Sequence, residues 1–315
     1  MIEFSKEFFQ PESRELIVSA STKRLWAVLL DLYAEFARVC KKNDLKFYAD
    51  SGTMIGALRH NGFIPWDDDI DLLMPRSDYE KLCRIAAEEF SPPYFWQTNQ
   101  TDPGSCRGHA QFRNSFTTGI LKGDMVDGKP VYSFNQGIFI DVFPLDNVPD
   151  DRKERNEFCG QIQRYKNLVY KIRNLTMLSH RMTLREWLHP FRMLRSIQGM
   201  WFRFIGLITK QDYLTRLYDE MEKFSQKYNK VETECWAPVM FRPKRKDGEF
   251  YKRRWFESVE DIPFEMLTMP IPKCADEILR GQYGDWHVHV IGGSAHGGML
   301  IDVDRPYTYY LEKKG

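Results

Sequence analysis

The first regular pattern in the sequence is a helical one near the N-terminus. Between residues 21 and 42, apolar residues recur at steps of three and four: Leu25, Leu29, Leu32, Phe36 and Val39. This spacing predicts an α-helix with one apolar face. Ser21 or Thr22 is expected to cap its start, because short hydroxyl side chains accept hydrogen bonds from the free backbone N–H groups there.

Short apolar runs then alternate with helical patterns. We predict strands at Leu45–Ala49 and Ile70–Met74, and between them a short helix, Gly52–His60, entered through a tight turn. Ser77-Asp78-Tyr79-Glu80 has the spacing of a capping box and predicts a helix from there to about Phe90.

Three later segments have strand patterns: Tyr94–Thr98, Ala110–Arg113 and Gly137–Phe143. In the last of them, the aliphatic residues Ile138, Ile140 and Val142 alternate with Asp141 and two phenylalanines. Successive side chains of a strand point to opposite faces of the sheet. Asp141 is therefore predicted on the face opposite the aliphatic side chains.

Helical patterns dominate the chain after Pro149. Asp150 to about Asn174 is helical and basic, and Gln211–Tyr228 has a further helical pattern. Between them, Thr183-Leu184-Arg185-Glu186 has the spacing of another capping box. From Cys235 onward, strand and turn patterns return.

These patterns divide the chain into three parts of one α+β fold. Residues 1–150 are predicted to form a core of strands and helices, residues 151–230 a helical insertion, and residues 231–315 a segment that completes the core. A chain of 315 residues is long enough to bury a sizeable core.

Composition narrows the classes of function. A net charge of +1 argues against a general nucleic-acid-binding protein, which is usually strongly basic. The six cysteines form no C-x-x-C pair, so neither a zinc knuckle nor a redox motif is predicted. The first twenty residues lack the apolar run of a signal peptide, and no segment approaches the ~20 apolar residues of a membrane span. We therefore expect a cytoplasmic protein.

The strongest chemical signal is a run of four acids in five positions: Asp67, Asp68, Asp69 and Asp71. Clustered carboxylates repel each other, so a fold that holds them together usually neutralises them with cations. Oxygen ligands favour Mg²⁺ or Mn²⁺. On a strand, Asp69 and Asp71 would share one face, and Asp141 would add a third carboxylate from a neighbouring strand.

Three such carboxylates suit phosphoryl transfer, because metal ions held by them neutralise phosphates and align the nucleophile with the leaving group. Gly52-Thr53 lies between a predicted strand and a predicted helix, where free backbone N–H groups bind anions. Arg59, near the end of that helix, is long enough to bind a phosphate with two hydrogen bonds. We therefore expect Gly52, Thr53 and Arg59 to contact donor phosphates.

The combination of these residues is more specific than any one of them. From Gly52, the sequence reads G-T-x-x-G-A-x-R-H-x-G-F-I-P-W-D-D-D-I-D, followed by M-P-R-x-D-Y and, around Asp141, I-D-V-F-P-L-D. This pattern resembles the LicD family of phosphocholine transferases. Fukutin and its related protein belong to the same wider group. The resemblance is strong over about residues 45–80 and fair over residues 110–146.

The resemblance implies a nucleotidyltransferase-like fold, with a mixed β-sheet core flanked by helices. In that fold, the Gly-Thr turn corresponds to Gly52-Thr53, the Asp-x-Asp strand to Asp69-Ile70-Asp71, and the third carboxylate to Asp141.

The resemblance also implies a chemistry: a CDP-choline-like donor, and transfer of phosphocholine to a sugar of teichoic acid or lipopolysaccharide. In this hypothesis, Asp69, Asp71 and Asp141 bind Mg²⁺, and Asp141 also takes the proton of the attacking sugar hydroxyl. Arg59 and Arg113, the latter within the family-like Phe112-Arg113-Asn114, balance the charge that develops in the transition state.

Three other functions remain open from the residues alone. A nucleotidyltransferase would use the same carboxylates but transfer the nucleotide itself. A metal-dependent glycosyltransferase would also use an Asp-x-Asp site, although the Gly52-Thr53 turn favours the nucleotidyltransferase fold. A glycan-binding scaffold would keep the fold without catalysis, and the presence of all three carboxylates argues against it.

Weaker patterns lie outside this region. His287, His289 and His296 are compatible with a zinc site, but the glycines around His296 are more typical of a loop. Phe191–Lys210 is amphipathic and basic, so it either packs on the core, as most such helices do, or rests on an anionic membrane at its inner face. Lys244-Arg245-Lys246 and Lys252-Arg253-Arg254 are basic clusters that would suit a polyanionic acceptor.

Overall fold

The computed structural model describes residues 2–126, 128–179, 190, 193–194, 197–201, 204, 213–243, 250–291 and 298–312. Its helices are α1 Ala20–Lys42, α2 Ser51–His60, α3 Arg76–Glu89, α4 Arg152–Ser179, α5 Tyr213–Ser225, α6 Ala275–Tyr283 and α7 Thr308–Glu312. The capping box at Thr183–Glu186, the basic cluster Lys244–Lys246 and His296 lie outside the described residues, as does much of Phe191–Lys210.

The strands are short except for one. They are β1 Glu12–Ser13, β2 Ile17–Val18, β3 Tyr48–Ala49, β4 Asp71–Pro75, β5 Tyr94–Gln97, β6 Ala110–Asn114, β7 Thr118–Leu121, β8 Met125–Val126, β9 Lys129–Pro130, β10 Ile138–Val148, β11 Cys235–Ala237, β12 Tyr251–Lys252, β13 Val259–Phe264, β14 Leu267–Pro272 and β15 Met299–Asp302. Seven of them form the central sheet, in the order β12-β11-β10-β4-β3, with β6 also paired to β10 and β5 paired to β6.

Strand β10 organises this sheet. All eleven of its residues are buried, and it pairs parallel with β4 and antiparallel with β6 and β11. A sheet with both kinds of pairing, covered by helices, confirms the predicted α+β class and the mixed sheet. The register places Asp141 of β10 beside Asp71 of β4, so their side chains leave the sheet on the same face.

Helix α1 covers the core with the face that the sequence predicted. Leu25, Leu29, Leu32, Phe36 and Val39 are all buried in the main apolar cluster. Its start differs from the prediction. Ser19 is the N-cap residue, and its Oγ accepts a hydrogen bond from the backbone N–H of Thr22 at 3.1 Å. The helix therefore begins at Ala20, and Ser21 and Thr22 lie in its first turn.

The capping box predicted for α3 is not used. Strand β4 ends at Pro75 and α3 begins at the next residue, Arg76, so Ser77 already lies inside the helix. No side chain caps this end of α3. The direct junction carries the chain from the sheet into a helix without a loop.

The segment after residue 231 returns to the sheet. Strands β11 and β12 extend it beyond β10, and the antiparallel hairpin β13–β14 packs its buried residues into the main core. Near the C-terminus, β15 pairs with β7. The division of the chain into three parts stays a prediction. Among the described residues, no helix combines the length and the apolar character needed to cross a membrane.

Candidate active site

A cavity of about 510 Å³ lies where α2, the acidic run, β4 and β10 meet the segment after α6. Its wall holds five carboxylates, one guanidinium and several aromatic rings. The lining residues are Ser51, Gly52, Ile55, Arg59, Ile64, Trp66, Asp67, Asp69, Asp71, Asp141, Phe143, Phe241, Tyr283, Asp285, Trp286, Val288 and Val290. A cavity of this size accommodates a small-molecule ligand.

The turn from β3 into α2 forms one side of the cavity. Ser51 has a φ of 47°, a left-handed conformation that a residue with a side chain adopts only when its surroundings impose it. At Gly52, an added Cβ atom would lie 2.8 Å from Oδ2 of Asp67, so glycine lets the acidic run approach the helix. Thr53 is buried, and its Oγ1 accepts a hydrogen bond from the backbone N–H of Asp71 at 2.9 Å. Gly52 thus faces the cavity, whereas the Thr53 side chain anchors β4.

The acidic run enters the cavity mostly before the strand begins. Asp71 is the first residue of β4, and Asp69 precedes the strand, so the two are not the strand pair that the spacing predicted. Asp67 lines the cavity as well, although the sequence left it outside the metal site. Carboxylate oxygens of Asp67, Asp68 and Asp69 lie within 4.8 Å of one another.

The surroundings of two of these carboxylates disfavour their ionised form. Burial raises the pKa of Asp71 well above its ordinary value, and the charges of Asp69 and Asp141 raise it further. Burial also raises the pKa of Asp67, helped by Asp69 and Asp68. A divalent cation would relieve both effects. The oxygen donors therefore fit Mg²⁺ or Mn²⁺. Asp71 and Asp141 are neighbours, as the sequence predicted. Their role as metal ligands stays a prediction.

Arg59 lies in the cavity wall, near the C-terminal end of α2. Its Nη1 donates to the backbone carbonyl of Trp286 at 3.0 Å, and its buried Nε has no hydrogen-bond partner among the described residues. Burial lowers the pKa of this guanidinium. A buried donor without a partner is costly, and an anion in the cavity would supply one.

Arg113 is not part of the cavity wall. Its side chain is 1% exposed, and it donates to Oε1 of Gln97 at 2.5 Å, to the carbonyl of Gly137 at 2.6 Å and to Oε1 of Gln111. The structure therefore gives no support to the expected direct contact between Arg113 and the donor phosphate.

The structure adds residues that the sequence analysis missed. Asp50, the residue before α2, is buried, and its Oδ1 accepts hydrogen bonds from Tyr251 Oη at 2.7 Å and Gln282 Nε2 at 3.2 Å. His109 and Gln111 both contact Asp141. The only sequence signal for Asp50 was its position before the Gly52-Thr53 turn, because its partners come from distant parts of the chain.

An aromatic surface lies next to Asp141. Phe143, two residues further along β10, is 4.6 Å from Phe241 between ring centroids, at 43° between the ring planes. Phe241 is 40% exposed and lines the cavity.

The histidines after α6 do not share one site in the described residues. His287 contacts Asp285 at 3.3 Å, and His289 contacts Glu15 at 2.6 Å. The proposed third ligand, His296, lies outside the described residues. The zinc hypothesis therefore stays a prediction without support from this geometry.

Known proteins match parts of this sequence. The family model described as LicD/FKTN/FKRP, nucleotidyltransferase domain, matches residues 44–202. The lipopolysaccharide cholinephosphotransferase LicD of Haemophilus influenzae is 32% identical over 126 residues, which cover 40% of this chain and 44% of that protein. An uncharacterised protein of Rickettsia prowazekii is 40% identical over 57 residues, 18% of this chain and 21% of that protein.

The chain thus spans less than half the length of these curated relatives. The family model is broader: it covers about half of the chain and contains the acidic run, β4 and β10. On this match, the protein belongs to the LicD family.

Proposed function

We propose that this protein transfers phosphocholine from CDP-choline to a sugar hydroxyl of a cell-surface glycan such as lipopolysaccharide or teichoic acid. The observation that carries the proposal is the convergence of Asp69, Asp71 and Asp141 with the start of α2 around one cavity. The cholinephosphotransferase activity named for the Haemophilus influenzae relative supports the choice of phosphocholine.

In the proposed reaction, a bond forms between the sugar oxygen and the phosphorus of the choline phosphate. The bond from that phosphorus to the bridging oxygen of the diphosphate breaks, and CMP leaves. Mg²⁺ or Mn²⁺ held by Asp69, Asp71 and Asp141 would neutralise the diphosphate. Asp67 lies close enough to Asp69 to join this set.

The other residues of the cavity have roles in positioning and proton transfer. Backbone N–H groups at the start of α2, beginning at Ser51 and Gly52, would bind donor phosphate oxygens. The guanidinium of Arg59, in the cavity wall, would donate to the same anion. Asp141 would accept the proton of the attacking hydroxyl.

The cavity also favours a cationic alcohol over a neutral one. Its wall carries five carboxylates against one guanidinium, so a positively charged head group lowers the electrostatic energy. Residues two apart on a strand are ~6–7 Å apart. The O–CH₂–CH₂ unit that separates phosphorus from nitrogen in phosphocholine covers most of this distance, and an aromatic face attracts a cation from up to ~6 Å away. Phosphorus near Asp141 would therefore place the quaternary ammonium near Phe143 and Phe241, where aromatic faces attract cations.

Replacing Phe241 by leucine should then affect choline more than other alcohols. The substitution removes an aromatic face worth ~0.5–2 kcal/mol to a cation, so KM for CDP-choline should rise about 2- to 30-fold. KM for CDP-glycerol, which has no cation, should change little. Steady-state kinetics with both donors checks this, and equal changes for both would contradict a cation-binding role.

A donor screen tests the function itself. Protein with Mg²⁺ is mixed with CDP-choline, CDP-ethanolamine, CDP-glycerol, CDP-ribitol, nucleoside triphosphates and nucleotide sugars, and the released product is identified. We expect CMP from CDP-choline, and near-complete loss of CMP release in Asp69→Asn with the fold intact by circular dichroism. Pyrophosphate would instead indicate nucleotidyl transfer, and a nucleoside diphosphate would indicate glycosyl transfer.

The acceptor and the location of the protein are also proposals. A lipid-linked glycan would bring the protein to the inner face of the membrane. The described part of Phe191–Lys210 is compatible with this, because Leu194, Trp201 and Phe204 are 55%, 60% and 52% exposed. Exposed apolar and aromatic side chains are typical of peripheral membrane contact.

A further inference from the structure

The carboxylate of Asp141 is held by buried polar side chains of strand β6. His109 Nε2 and Gln111 Nε2 each lie 2.9 Å from the same oxygen, Oδ1 of Asp141. His109 is 8% exposed and Gln111 2% exposed. The antiparallel register places Gln111 directly opposite Asp141 and Arg113 opposite Phe139. The three polar side chains therefore form a row beside the cavity.

Arg113 determines which way the amide of Gln111 points. An arginine side chain only donates hydrogen bonds, so the Gln111 atom in contact with Arg113 must be the accepting oxygen Oε1. The nitrogen Nε2 is then left to donate to Asp141. Arg113 itself is fixed by Gln97 and the Gly137 carbonyl. Although Arg113 is fully buried, it therefore fixes the amide of Gln111 and, through that amide, the contact with Asp141.

Among the described residues, the side chain of His109 makes one hydrogen bond, to Asp141. Its ring lies 4.4 Å from the ring of Phe143 and 5.1 Å from that of Phe241, and within the described part of the chain its buried Nδ1 has no hydrogen-bond partner. A phenylalanine would satisfy this aromatic packing without burying an unpaired nitrogen. The imidazole is therefore explained by its bond to Asp141 and not by packing.

We propose that His109, Gln111 and Arg113 are positioning residues for Asp141. Two hydrogen bonds that converge on Oδ1 restrict rotation of the carboxylate and hold it in the orientation in which it meets the cavity. This inference rests on the proposed function, in which Asp141 contributes to a divalent metal site. Partners that orient metal-binding carboxylates typically contribute 10- to 100-fold to metal affinity.

The test measures Mn²⁺ affinity by electron paramagnetic resonance, together with the melting temperature of the metal-free protein. His109→Phe keeps the ring packing and removes the N–H donor, so it should weaken Mn²⁺ binding about tenfold or more with little change in melting temperature. His109→Gln, whose amide nitrogen reaches as far as Nε2, should recover much of that affinity. Gln111→Met should weaken binding by a similar factor.

A double-mutant cycle separates positioning from packing. In Asp141→Asn, His109→Phe should cause no further loss of Mn²⁺ affinity, because the oriented group is already gone. A lower melting temperature with unchanged Mn²⁺ affinity in His109→Phe would overturn the proposal, and so would full additivity in the cycle. The Mn²⁺ measurement needs no donor. If the donor screen fails but the two substitutions are coupled in their effect on Mn²⁺ affinity, the proposed reaction is rejected and the positioning role is retained.

Discussion

Replacing Asp71 by asparagine should reduce turnover ~10³-fold or more and, at neutral pH, raise the melting temperature of the metal-free protein. The first effect follows from the proposed role of Asp71 as a metal ligand, because a metal-binding carboxylate supplies several kcal/mol of transition-state stabilisation and each 1.36 kcal/mol is about tenfold in rate. The second follows because Asp71 is buried beside Asp69 and Asp141, whose charges oppose its ionisation. Asparagine keeps the shape without the charge.

The pH dependence gives the second effect a clear sign. The pKa of Asp71 is higher in the folded protein than in the unfolded chain, so the folded state holds more protons. Stability of the metal-free protein therefore falls as the pH rises above the unfolded value near pH 4. The advantage of Asp71→Asn should be present at pH 7 and vanish below about pH 4.

Differential scanning fluorimetry with and without Mg²⁺ checks both effects alongside a CMP-release assay. Mg²⁺ should raise the melting temperature of the wild type more than that of Asp71→Asn. Asp304→Asn is the matched control, because this exposed aspartate pairs with Arg24 at the surface, where ion pairs contribute little. Wild-type turnover in Asp71→Asn would remove Asp71 from the site.

The parts of this site that the sequence predicted are those set by local periodicity. Alternation along β10 placed Asp141 on the face opposite Ile140 and Val142, and the pairing with β4 confirms that Asp141 and Asp71 are neighbours. The helix predicted over Gly52–His60, from an apolar helical pattern entered through a tight turn, is present as Ser51–His60. Both inferences needed only the geometry of a strand or a helix.

The parts that the sequence did not predict depend on contacts between distant segments. The predicted contact of Arg113 with the donor phosphate required the face of β6 that carries Gln111 and Arg113 to be open. The segment before β10 covers that face instead. Arg113 donates to the carbonyl of Gly137, and Gln97 donates to the nearby carbonyl of Asn135 at 2.9 Å. No local pattern shows which polar face a loop will cover. Asp67 was left out for a related reason, since its approach to the helix depends on the missing side chain at Gly52.

Two further residues of the family-like pattern form a buried ion pair away from the cavity wall. Arg76, from M-P-R-x-D-Y, donates from Nε and Nη2 to the two carboxylate oxygens of Asp146, from I-D-V-F-P-L-D, at 2.7 Å each. Glu222 and Asn229 add contacts at 3.2 Å and 2.7 Å. Burial alone would lower the pKa of Arg76, but the charge of Asp146 raises it overall. The pair joins the start of α3 to the end of β10.

Arg76→Met should therefore destabilise the protein by ~3–5 kcal/mol, because it leaves the carboxylate of Asp146 buried without its counter-ion. Arg38→Met is the matched control: Arg38 is half exposed in its pair with Glu35, so its loss should cost less than ~1 kcal/mol. Urea unfolding followed by tryptophan fluorescence measures both variants.

The double variant Arg76→Met/Asp146→Leu separates a missing ion pair from a missing side chain. Because it removes both charges and fills the space with apolar atoms, it should recover most of the stability that Arg76→Met loses. No recovery would mean that the packing of the arginine stem, or the contact of Asp146 with Asn229, matters more than the charge. If the double variant recovers both stability and Mn²⁺ affinity, Arg76 and Asp146 act by holding the fold together. The proposed chemistry would then belong to the acids at the other end of β4 and β10.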